Sequence, residues 1–127
     1  MPIERMIVDD EVPPFSHYCH VVRAGDHVWL SGMVGMTADG AVPESTVEQF
    51  RLAMASIDNC LRQAGGRPDQ VVKVQVFMSD ISERALINPI RQAYFREHRP
   101  ASTLLEISAF VDSRLKVEIE AVAYLGP

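Results

Sequence analysis

Cysteine is almost missing from this chain. Cys19 and Cys60 are the only two in 127 residues, too few for a disulfide framework or a cysteine-built zinc site, so a reducing cytoplasm is the expected setting. Long hydrophobic runs are missing as well: no apolar stretch approaches the roughly 20 residues of a membrane span. The start, Met1-Pro2-Ile3-Glu4-Arg5, has neither the basic nor the apolar region of a secretory leader. Positive charge is in short supply, with 12 Lys and Arg against 17 Asp and Glu and a formal net charge of −5. That argues against nucleic acid as a partner, because phosphate binding needs a basic face to release counterions. Histidine is sparse too; His17 and His20 fall on opposite faces of an extended segment, so no metal site is expected. There is no glycine-rich phosphate loop, dinucleotide fingerprint or nucleophile elbow. The 47% hydrophobic and 23% charged shares are ordinary for a globular protein, and residues 1–127 fit one domain around one core.

What the chain does contain is organised around the stretch from Tyr18 to Met33. Val21 and Val22 on one side of Gly25-Asp26, and Val28, Trp29 and Leu30 on the other, predict a β-hairpin with a tight reversal. Its first arm carries a phenol, an imidazole and a guanidinium at nearly alternate positions, Tyr18, His20 and Arg23. Its second arm ends in Ser31-Gly32, where a glycine suits either a bulge or the close approach of a ligand to backbone.

The rest of the chain supplies supporting elements. A short strand is expected within residues 2–8, broken by Val12-Pro13-Pro14. Asp39-Gly40 marks a turn, within either a small excursion or a second hairpin. Ser45-Thr46-Val47-Glu48 has the form of a capping box, followed by Val47, Phe50, Met54, Ile57, Leu61 and Ala64 at helical spacing up to Gly65-Gly66. Residues 71–78 alternate, with Val72, Val74 and Val76 read as one face against Lys73, Gln75 and Phe77. After a polar turn at 79–85, Asn88-Pro89 reads as N-cap and first residue of a second helix reaching towards His98. Thr103–Ile107 and Leu115–Tyr124 are the last strands. In the final one Lys116, Glu118, Glu120, Val122 and Tyr124 share a face opposite Leu115, Val117, Ile119, Ala121 and Ala123. The order β-β-β-α-β-α-β-β predicts an α+β fold, one mixed six-stranded sheet with two helices on one face. The uncovered face carries Trp29, Val22 and Val122, so oligomerisation is expected to hide it.

Taken together, Tyr18, Ala24-Gly25-Asp26, Leu30-Ser31-Gly32, Asp39-Gly40, Gly65, Val71-Val72-Lys73, Val76-Phe77, Asp80, Asn88, Pro100-Ala101 and Val117-Glu118-Ile119-Glu120-Ala121 resemble, in order and over nearly the whole chain, the Rid (YjgF) family of enamine/imine deaminases. The resemblance implies a chorismate-mutase-like homotrimer, with three sheets forming a central β-barrel, helices outside, and a small-molecule ligand in each intersubunit cleft. It implies no cofactor. It implies Glu120 as the base for the attacking water, Tyr18 as donor and aromatic wall, and His20 as a further acid or donor. Ser31, Gly32, Asn88, Ser102, Thr103 and Arg23 would contact the substrate. The segment around Tyr18-Cys19-His20 also resembles the branch containing 2-aminomuconate deaminases.

One departure stands out. Where those deaminases place an arginine after Pro-Ala to grip a carboxylate, this chain has Ser102. A guanidinium fork makes two charge-assisted hydrogen bonds where a hydroxyl offers one neutral donor. Either another cation substitutes, with Arg23 and Arg91 the candidates, or the ligand is not an α-iminocarboxylate. Three activities therefore stay open: hydrolysis of an atypical enamine or imine, non-hydrolytic binding of a small metabolite, and isomerisation or cyclisation of a pathway intermediate.

Overall fold

The computed structural model describes residues 2–127. Six strands, β1 (Ile3–Met6), β2 (Val21–Ala24), β3 (His27–Val34), β4 (Val71–Met78), β5 (Ala101–Glu106) and β6 (Val117–Tyr124), form one sheet in the order β1-β2-β3-β6-β4-β5. Every neighbouring pair is antiparallel except β4 and β5, which run parallel. Parallel strands need a crossover, and α2 (Asn88–Phe95) provides it; α1 (Thr46–Gln63) links β3 to β4.

Helix α1 forms where the 3.6-residue stripe predicts. Phe50, Met54, Ile57 and Leu61 are buried, joined by Ala53 and Cys60, and they pack against Val21, Val28, Val74, Val76, Val117 and Ile119 of the sheet. Each fully buried side chain of this size contributes about 1.5–3 kcal/mol. The capping box is half realised. Ser45 Oγ accepts from the Glu48 N–H at 3.0 Å, while the Glu48 carboxylate turns outward to Arg51 Nε at 3.3 Å. At the other end Gly65, at φ +88°, allows a Schellman closure: the Gly66 N–H reaches Leu61 O at 2.9 Å and the Gly65 N–H reaches Arg62 O at 3.0 Å.

The hairpin between β2 and β3 closes through Gly25-Asp26, with Gly25 at φ +61° and Ala24 opposite His27. Thr37–Ala41 turns tightly, Gly40 at φ +93°, and no strands flank it among the described residues, so of the two expected forms the small excursion is the one present. The expected alternation in β4 is offset by a register shift between Val71 and Lys73, which leaves Val72 exposed while Val71, Val74, Val76 and Met78 are buried. Helix α2 also starts differently. A 3₁₀ segment, Ile81–Ile87, runs directly into it, so Asn88 is already helical (φ −60°, ψ −41°) and Ile87 holds the N-cap position without a side-chain cap bond. The helix stops at Phe95, short of His98, where Arg96 takes φ 54°.

One polar side chain of α1 sits deep in the core. Gln49 is fully buried; its amide nitrogen, Nε2, donates to Pro43 O at 2.8 Å and Arg114 O at 2.9 Å, and its Oε1 accepts from the Lys116 N–H at 2.8 Å. It ties α1 to the start of β6. The opposite face of the sheet has no helix over it and exposes Trp29, Leu105 and Tyr124. No helix among the described residues is long and apolar enough to cross a membrane.

Candidate active site

The site begins at an irregularity in the sheet. Leu30 pairs with Ala121 and Met33 with Ile119, so Ser31 and Gly32 of β3 together face Glu120 of β6. This is a β-bulge, one of the two roles expected of Gly32. Its immediate neighbour is Glu118: a Cβ on Gly32 would lie 2.7 Å from the Glu118 carboxyl carbon. Ser31 is anchored twice, its N–H donating to His20 O at 3.0 Å and its Oγ donating to Cys19 O at 2.6 Å. That leaves acceptor capacity on Oγ. Tyr18 is 39% exposed. Its phenolic oxygen accepts from the Phe15 N–H at 3.0 Å, so the O–H proton remains available to a ligand.

Phe15, Tyr18, Ser31, Gly32, Val111 and Glu118 line one open cleft of about 330 Å³. Glu120 lies in the adjoining hollow of about 340 Å³, with Ser31, Trp29, Lys73 and Gln75. The carboxylate that shares a cleft with Tyr18 is therefore Glu118, where Glu120 was expected. Burial and, to a smaller extent, the charge on Glu120 raise the Glu118 pKa above the ordinary carboxylate value, and no cation or hydrogen bond among the described residues offsets them.

His20 lines the small hollow behind Tyr18, Phe15 and Gly32, but its ring nitrogens are already engaged. It is 4% exposed, Nδ1 accepts from the Val8 N–H at 2.9 Å, and Nε2 pairs with Val12 O at 2.8 Å. These contacts require the neutral tautomer protonated on Nε2. Both ring nitrogens are spent on holding residues 8–12 against the hairpin, a structural role in place of the expected chemical one. His20→Ala should cost about 2–4 kcal/mol by stranding these two backbone groups, read as a lowered urea midpoint.

Arg23 is also placed elsewhere. Its neighbour Val22 lies on the uncovered face, so Arg23 points to the helix side. There Nη1 donates to Ala64 O at 2.7 Å and Nε to Gly25 O at 3.0 Å. In this chain it closes the C-terminal end of α1, away from the Tyr18 cleft.

The remaining expected contacts gather at the far edge of the sheet. Thr103 accepts from Lys73 Nζ at 3.0 Å on the uncovered face. Ser102, paired with the inward-facing Val74, points to the helix side, where Arg91 Nη2 donates to its Oγ at 2.7 Å. Asn88 stands one turn before Arg91 on α2. Strand β5 is three strand positions from β3, roughly 14 Å at the usual spacing. Within one chain, then, the expected contacts fall in two separate places: Tyr18, Ser31 and Gly32 beside Glu118 in one, and Asn88 and Ser102 beside Arg91 in the other, with Thr103 on the opposite face of that same edge. Sequence reasoning passed over Glu118 because alternation puts it on the same face as Glu120, and only the bulge decides which abuts Gly32.

The family model described as Endoribonuclease L-PSP matches residues 9–125. A 2-iminobutanoate/2-iminopropanoate deaminase from Capra hircus is 31% identical over 128 residues, covering 98% of this chain and 93% of that protein. The crystal structure of YEO7 from yeast superposes with a TM-score of 0.92 at 27% identity, covering 97% of this chain and 98% of that one. A Rid-family protein, YyfA from Yersinia pestis, gives a TM-score of 0.90 at 25% identity, with 97% and 99% covered.

Proposed function

This chain belongs to the endoribonuclease L-PSP family, also called the Rid or YjgF family, and from that premise we propose that it hydrolyses small reactive imines or their enamine tautomers. The observation that supports this most is the cleft in which the Glu118 carboxyl, the Tyr18 O–H and the Ser31-Gly32 bulge meet. The net reaction adds water across C=N and releases ammonia, leaving a carbonyl. Glu118 orients the water and takes one of its protons as the oxygen bonds to carbon, and that proton passes to nitrogen to give a carbinolamine. Glu118 then takes the carbinolamine hydroxyl proton and delivers it to nitrogen as the C–N bond breaks, so that ammonia leaves, the carbonyl forms and Glu118 returns to its starting state. Tyr18 donates a hydrogen bond to the polarised end of the substrate, and its ring and Phe15 limit the cleft.

The uncovered sheet face leaves Trp29, Leu105 and Tyr124 exposed, and apolar side chains gathered on one face are a mark of association. We assign it to a homotrimer whose sheets close into a central barrel. Such closure lets the Asn88 edge of one copy approach the Tyr18 cleft of the next, so the ligand lies between subunits. A net charge of −5 opposes a polyanionic substrate and supports a small-molecule reading over the ribonuclease in the family's description.

The test is ammonia release from freshly generated 2-iminobutanoate and from a 2-aminomuconate-like dicarboxylate. Catalysis well above the buffer rate, with one ammonia per carbonyl formed, is the expected result. Binding without ammonia would replace hydrolysis with a carrier or regulatory role.

A further inference from the structure

Glu118 is the one charged side chain among the described residues that line the Tyr18 cleft. It is half-buried, and a second carboxylate, Glu120, stands two residues along on the same strand face, so burial and then the Glu120 charge raise its pKa. Lys73 shares the adjoining hollow with Glu120 but gives its Nζ to Thr103 Oγ1 at 3.0 Å. Arg23 and Arg91, the two candidate cations, both turn to the helix side of the sheet, to Ala64 O and to Ser102 Oγ. A carboxylate drawn out of water beside a like charge is unfavourable unless positive charge joins it. The other walls favour the same kind of guest. Phe15 and Tyr18 put two exposed aromatic rings into the lining, and Val111 adds apolar surface. Aromatic rings bury apolar groups and attract cations through their faces. A second carboxylate brought into this cleft would meet Glu118 with nothing of opposite charge in the lining to offset it.

We propose that the cleft selects imines that carry no carboxylate, with an apolar or aromatic substituent against Phe15 and Tyr18 and a neutral or positive nitrogen end facing Glu118. Glu120 is then a specificity-determining residue, adding negative charge beside the cleft without lining it. This class differs from the 2-iminobutanoate and 2-iminopropanoate named for the Capra hircus relative; 2-iminobutanoate becomes a slower substrate, not an excluded one. The reaction rests on the hydrolase reading, the charge selection rests on the cleft, and the experiment separates the two.

Ammonia release is compared for the freshly generated imines of phenylacetaldehyde and of phenylpyruvate, which differ by one carboxylate. Like-charge opposition predicts a kcat/KM about 10–100-fold higher for the imine without it. Calorimetric binding of 2-phenylethylamine, phenylacetone and phenylpyruvate, a cation, a neutral ketone and an anion on one aromatic frame, should weaken in that order. Added salt should narrow the spread. Glu120→Gln should weaken 2-phenylethylamine and tighten phenylpyruvate by about 2–5-fold each. Phe15→Ala should weaken all three alike. Equal turnover of the two imines, together with phenylpyruvate binding as tight as that of 2-phenylethylamine, would overturn the proposal and leave the hydrolase reading intact. Charge-ordered binding that Glu120→Gln narrows, in a wild type that releases no ammonia from either imine, would uphold the selection and sink the hydrolase reading. An ordering untouched by both Glu120→Gln and Glu118→Gln, or failure of all three probes to bind, would also overturn the proposal. If Glu118→Gln does not fold, Glu120→Gln alone decides, since it lies outside the cleft lining.

Discussion

Glu118→Gln should lower kcat for imine hydrolysis by about 10²–10⁴-fold, the usual range for removing a positioned general acid–base group, whereas Glu120→Gln should cost far less. The two carboxylates share a face of β6 and lie two residues apart, yet only Glu118 lines the cleft with Tyr18, while Glu120 faces Lys73 and Gln75 next door. Their pH behaviour should separate them further. Burial, and then the negative charge of Glu120, raise the Glu118 pKa. A base that must be ionised loses activity as pH falls through its pKa, so the acid limb of the rate profile begins above the ordinary carboxylate range. Removing the Glu120 charge in Glu120→Gln should move that limb to lower pH. The stability sign runs the other way. A folded-state pKa above the unfolded value means that the fold favours protonated Glu118; this contribution is fully present below the unfolded pKa and is lost as pH rises through the folded one. Glu118→Gln should thus melt at or slightly above the wild-type temperature at neutral pH, so that its lost activity cannot be assigned to unfolding. Equal losses in the two glutamine variants would contradict the assignment.

Gln49→Leu should damage the fold itself more than His20→Ala does, at about 3–5 kcal/mol, because it strands three backbone groups instead of two. The buried amide serves Pro43 O, Arg114 O and the Lys116 N–H at 2.8–2.9 Å. A leucine fits the volume but leaves all three without a partner, each costing about 1–3 kcal/mol where water cannot reach. Against a total stability of about 5–15 kcal/mol for a domain of this kind, that is a large fraction. Urea unfolding followed by circular dichroism should show a midpoint shifted strongly downward with little change in slope. A shift below about 1 kcal/mol would mean that the core relaxes enough to re-pair these groups.

Most of the architecture was legible because it rests on periodicity. The α1 stripe, the Gly25-Asp26 reversal and the alternation of β6 each state which side is apolar, and those sides form the core. The same logic held signals that were passed over. Gln49 lies on the apolar stripe, beside Phe50 and four residues before Ala53, and Arg23 is out of phase with Tyr18 and His20, which sends it to the helix side. Other features depend on distant chain and leave no local mark. His20 is committed because residues 8–12 fold back over it. Asn88 lost its capping role because the preceding segment was already 3₁₀-helical. The choice between Glu118 and Glu120 depends on a bulge in another strand, which Gly32 hinted at without locating its neighbour. Ser102 read as a deficit in sequence; in space it is the hydroxyl that holds Arg91.

A ligand held between subunits requires a second copy, since Asn88 and Ser102 lie at the β5 edge, three strand positions from the Tyr18 cleft of their own chain. Sedimentation equilibrium of the purified protein over a wide concentration range measures this directly. A particle about three times the 14.2 kDa chain mass is the predicted result. A species that stays at the single-chain mass at all concentrations would contradict the account, because the two halves of the site would then never meet.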